Sequence, residues 1–186
     1  MNKLSKCFYN NATLHLAIVL TFATFSYLFF VSMDKAECYQ VADKSVKSLG
    51  TSFGYDLEMV QYFLSIRTEV MIICYKKFNI IWDNLFALSY GLMYITWFSV
   101  LYKPFKKKVN LLNLFPISQV LFDWLENFQL ARISNSYLIE DQIYLFDVNL
   151  SSSLTILKWI CSSLIFVLIV IGILFRIVVA IKKRKI

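Results

Sequence analysis

Four long apolar runs divide the chain, at 12–33, 80–102, 111–133 and 154–181. The shortest holds 22 residues. A helix of that length, rising about 1.5 Å per residue, crosses a hydrocarbon core of about 30 Å. The first run has His15 as its one titratable residue and follows Lys3 and Lys6, as a signal peptide would. It is longer than a signal h-region and no small-residue cleavage site follows, so it is expected to be a retained span. The second carries Asp83 and Asn84 near its start. The fourth has an uncharged centre between Trp159 and Phe175, with Lys158 and Arg176 placed to reach the two interfaces.

The third run departs from this pattern, because Asn113, Ser118, Gln119, Asp123, Glu126 and Asn127 interrupt it. Asn113 is expected as an N-cap, with Pro116 in the first turn, where its missing N–H removes no helical bond. The predicted helix runs from about Leu114 to Ile133, which puts Asp123 near mid-depth. Between runs one and two lies a longer polar stretch, 34–79, whose Gly-bearing turn is LGTSFGY. Asp56 is placed to cap a short helix with Leu57, Val60, Phe63 and Leu64 on one face, and Thr68 to cap a second that runs on into span two. These predict a small helical cap on the outer side, not a separate domain.

Composition agrees with the spans. The chain is 59% hydrophobic and only 17% charged, whereas a soluble domain is about one-quarter charged. Lys3, Lys6, Lys103, Lys106, Lys107, Lys108, Arg176, Lys182, Lys183, Arg184 and Lys185 fall in segments without an acid, on one predicted side. The other side holds Asp34, Glu37, Asp43, Asp56, Glu58, Glu69, Glu140, Asp141 and Asp147. Basic residues mark the cytoplasmic side. The expected fold is therefore an all-α integral membrane protein, a four-transmembrane-helix bundle with both termini inside. The net charge of +7 is explained by orientation, and no nucleic-acid partner is expected. Abundant Lys, Asn, Ile, Phe and Tyr point to an AT-rich genome and a bacterial cytoplasmic membrane.

Cys7, Cys38, Cys74 and Cys161 form no CxxC pair, and with one His no metal site or cofactor is expected. Cys38 and Cys74 share the outer side and could pair or stay as thiols. No nucleophile elbow or Gly-rich phosphate loop is present.

The candidate chemistry lies where the polar residues of three spans meet. Insertion of Asp, Lys or Arg at mid-membrane costs about 2.5–3.5 kcal/mol, so such groups face a bundle interior or a wet cavity. Asp123, Glu126 and Asn127 share a helix face with Gln119. Asp83, Glu126, Asn127 and Lys158 fall at similar depth in the outer half, and Tyr90 and Tyr94 continue the face of span two. Glu126 is the expected partner of Lys158, with Asp123 neutral and hydrogen-bonded. Ala87 and Gly91 allow a neighbouring helix to approach closely.

Two readings follow from this cluster: a polar pocket, or a buried network that fixes helix register. The favoured function is a non-enzymatic membrane protein whose pocket takes an amphiphile, a lipid headgroup or a proton. Alternatives are a small membrane enzyme using paired carboxylates on a lipid, and a structural or assembly subunit. A homo-oligomer or a membrane-complex partner is compatible with each.

Overall fold

The computed structural model describes residues 3–35, Cys38, 48–105 and 111–184. Lys106, Lys107, Lys108, Lys185, Glu37 and Asp43, used above for orientation, lie outside the described residues. All regular elements among those described are helical. They are α1 (Lys3–Asn11), α2 (Leu14–Asp34), α3 (Leu57–Ser65), α4 (Glu69–Lys77), α5 (Asn84–Tyr102), α6 (Pro116–Glu140) and α7 (Leu145–Arg184).

The helix starts follow from local chemistry. Thr13, Asp56 and Thr68 each accept a backbone N–H of the first turn, from Leu16, Met59 and Met71, which satisfies a donor the helix cannot. Pro116 opens α6. Asn113 does not cap it, contrary to the sequence expectation. It sits one turn earlier, fully buried, donating to Ser5 O (3.1 Å) and Ser99 Oγ (3.0 Å) and accepting from Ser5 Oγ (2.8 Å). A side chain tied to α1 and α5 is not free to turn back on its own backbone, and the helix starts at proline instead.

α4 and α5 are joined by one wide π-helical turn, Phe78–Asp83, and the joined helix continues to Phe105. A turn of this kind inserts an extra residue and loosens the backbone ladder. Side chains occupy carbonyls along it. Asn79 Nδ2 donates to Tyr75 O, Asn84 Nδ2 to Ile80 O, the Tyr27 hydroxyl to Trp82 O and Trp124 Nε1 to Asn84 O.

Among the described residues three helices are long and apolar enough to cross a membrane: Leu14–Val31, Glu69–Phe105 and Leu145–Ile181. α6 is not among them, because of its polar residues. Its burial pattern is inverted relative to a soluble helix. Gln119, Asp123, Glu126 and Asn127 are buried, while Leu121, Leu125 and Phe128 stand about half exposed at 49%, 51% and 54%.

The most extensive packing is between α6 and α7, then between α2 and α5 and between α5 and α6. Gly91 permits the last of these, since a Cβ there would overlap Val120 Cγ2. α3, α4, α6 and the start of α7 enclose a core containing Val60, Phe63, Leu64, Ile72, Leu130, Ile133 and Val148. The face expected for α3 is thus its buried face. A disulfide joins Cys38 to Cys74 of α4.

Candidate functional site

One lysine organises the polar interior. Lys158 on α7 points its ammonium at Glu126 Oε2 (2.5 Å), Asp123 Oδ1 (3.2 Å) and the Gly50 carbonyl (3.1 Å). Asp123 accepts again, from the Tyr90 hydroxyl, at 2.6 Å. Glu126 is fully buried and accepts from the Thr155 hydroxyl through Oε1 at 2.7 Å. Gly50 matters for its lack of a side chain, because a Cβ there would come within 3.2 Å of Glu126 Oε1. The Glu126 partnership was legible in the sequence. Asp123 was expected to be neutral and merely hydrogen-bonded, but it shares the same ammonium. The two carboxylates stand one turn apart on α6, so a single long side chain reaches both.

Behind this group a hydroxyl chain continues. The Tyr55 hydroxyl and Ser151 Oγ lie 2.6 Å apart, and Tyr55 N donates to Ser152 Oγ at 2.9 Å. Burial and the nearby Glu126 carboxylate push the Tyr55 hydroxyl up to about 12, so it stays protonated. These bonds fasten Tyr55, which follows the Leu49–Thr51 turn, to α7.

In front of the group lies a cavity of about 410 Å³, within the range of small-ligand sites. Asp83, Tyr90, Tyr94, Gln119, Asp123 and Lys158 line it. Glu126 and Asn127, grouped with them from the sequence, stand behind the wall. Glu126 faces Thr155, and Asn127 Nδ2 donates to Asn84 Oδ1 at 3.1 Å. Gln119 is 6% exposed and its Oε1 has no hydrogen-bond partner. Trp82, Trp159 and Ser162 add to the wall.

The sequence did not indicate the contribution of α2. Thr24, Phe25, Tyr27, Leu28 and Val31 form one side of the cavity. An apolar run without a charge carries no marker of which face turns inwards. The roof, Ser48, Gly50 and Thr51, was likewise not legible, since it depends on the outer segment folding back. α2 packs mainly on α5. Residues of both α2 and α7 line the cavity. Phe25 (61% exposed), Leu28 and Trp159 are at once wall and protein surface, so the cavity borders the surroundings laterally while the Leu49–Thr51 turn covers it. Among the described residues no group of His, Cys, Asp and Glu is placed to hold a metal ion. Comparison with protein-family models, curated proteins and solved structures finds no match to this chain.

Proposed function

We propose that this is a four-span membrane protein, with both termini cytoplasmic, that binds an amphiphile drawn sideways from the outer leaflet. The inverted burial of α6 supports counting it as the additional span. Polar residues inward and leucines outward suit a lipid surround and would be costly in water. The basic bias supports the orientation.

The observation that carries the binding role is the form of the cavity. It is roofed by Gly50 and Thr51, floored by Asp123 and Lys158, walled by aromatic rings, and bordered at the side by exposed Phe25 and Leu28. A headgroup would rest on the polar floor and its chain would leave between α2 and α7. Glu126 and Asn127, outside the cavity, serve packing. The register-fixing reading thus applies to the back of the cluster and the pocket reading to the front.

The test uses protein extracted into nanodiscs of host lipid and examined by native mass spectrometry. Wild type should release a bound amphiphile. Ser162→Phe, which fills the cavity from α7, should release little of it while melting within a few degrees of wild type. An identical bound complement in both proteins refutes the proposal.

A further inference from the structure

We infer that the cavity selects a cationic head, an ammonium carried on an apolar tail, a conclusion that rests on the binding role above. The first step is a donor count. A lysine ammonium has three N–H donors and no acceptor. Lys158 faces three acceptors, Glu126 Oε2, Asp123 Oδ1 and Gly50 O. It donates to Gly50 O and Asp123 Oδ1 and is in ion-pair contact with Glu126, so its engagements already lie with the protein and not with a phosphate or carboxylate in the cavity.

The second step is charge. Three carboxyl groups stand in or beside this wall against one ammonium: Asp123 and Glu126 contact Lys158, and Asp83 lines the same cavity. Among the described residues no lysine or arginine is within ion-pair distance of Asp83, which lines the cavity. Lys35, which stacks over Trp82, is paired with Asp34 and is not part of the lining. An anionic head would find no uncommitted cation in this lining.

The third step is the unmatched acceptor. Gln119 Oε1 is buried at the cavity wall without a donor. Leaving such a group unpaired is costly, and the missing partner must be a hydrogen-bond donor. An ammonium supplies it, and the aromatic faces of Trp82, Tyr94 and Trp159 favour a cation for the same electrostatic reason. An alkylamine and an aminophospholipid share this chemistry.

The experiment titrates protein in nanodiscs of phosphatidylcholine and phosphatidylglycerol with tetradecylamine, tetradecanoic acid or tetradecanol. Occupancy is read by native mass spectrometry. A further arm adds phosphatidylethanolamine without the amine, which tells a lipid headgroup from a free amine. The amine or the aminophospholipid should bind at least tenfold tighter than the acid and the alcohol. Asp83→Asn and Gln119→Leu should each weaken that binding about tenfold, with melting temperatures near wild type.

Equal or tighter binding of the acid or alcohol overturns the cation assignment. If that binding is lost in Ser162→Phe, the pocket stands and only its selectivity is wrong. Probe binding that Ser162→Phe leaves untouched, or no binding by any probe or lipid, overturns both. Amine binding indifferent to Asp83→Asn and Gln119→Leu overturns the assignment of the head to this wall.

Discussion

Removing Lys158 should expose how much of this bundle depends on one charge. Lys158→Met deletes the ammonium shared by Glu126 and Asp123 and leaves two carboxylates one helical turn apart, both buried. Breaking a buried pair by removing one member costs about 3–5 kcal/mol, because the remaining charge has lost both water and partner. Glu126→Gln is milder. Lys158 keeps Asp123, and the Thr155 hydroxyl can still donate to the amide oxygen. The loss is about 1.5–3 kcal/mol, the scale of a hydrogen bond to a charged group.

The double variant lacks the cation but also one of the two anions, and Asp123 keeps its bond from Tyr90. Its loss should fall short of the sum of the singles by about 1–3 kcal/mol. For a chain of this size each kcal/mol moves a melting midpoint by about 2–4 °C. Lys158→Met should therefore melt about 10 °C lower, and the double variant should recover part of that. The assay is denaturant titration in mixed micelles, followed by tryptophan fluorescence and repeated by circular dichroism. Losses that add to within about 0.5 kcal/mol would refute the reasoning, since residues sharing a buried charge must couple.

Gly91→Leu should destabilise more than Leu92→Ala, because Gly91 abuts Val120 whereas Leu92 is 39% exposed; equal melting of the two would show that the α5–α6 contact is not close. In intact cells a membrane-impermeant maleimide should leave Cys7 unlabelled and should label Cys38 and Cys74 only after reduction; labelling of Cys7 would reverse the orientation. Asp56→Ala should cost about 1 kcal/mol by removing the cap on Met59 N, and an unchanged midpoint would mean that α3 does not contribute to cooperative unfolding.

The legible part of the fold was the part written in periodicity and charge. Asp56 and Thr68 announce helix starts because a short oxygen-bearing side chain just before an amphipathic run has one favourable use. The polar face of α6 could be drawn because residues four apart must share a side. The pairing of Glu126 with Lys158 followed from direction and depth alone, whereas Asp123, expected deeper and neutral, was not expected at the same ammonium. What escaped was information held between segments. Asn113 looks like a cap until α1 folds beneath it and takes its side chain. The π-helical turn at Phe78–Asp83 has no sequence period of its own. It rotates Phe78, Asn79, Trp82 and Asp83 onto the cavity face that Phe86 and Tyr90 continue. Tyr27 was hidden in an apolar run, although its hydroxyl, donating to Trp82 O, sets α2 against that turn.

These interior contacts matter more in a bilayer than they would in water. Lipid tails are as apolar as leucine, so burying Leu121 or Leu125 against another helix gains little, and specificity falls to small-residue contacts and polar pairs. Gly91 on Val120 and Lys158 on Glu126 supply one of each. The ion cluster is a poor source of net stability, because charges of this kind seldom outperform well-packed apolar residues. Its value lies in holding α6, α7 and the Gly50 turn in one arrangement. That arrangement leaves Gln119 Oε1 buried without a donor, an unfavourable state that closer packing could have removed. A bundle already fixed by its charges can tolerate that deficit. Under the proposed binding role, this acceptor beside the cavity is where a ligand's donor would complete the bond.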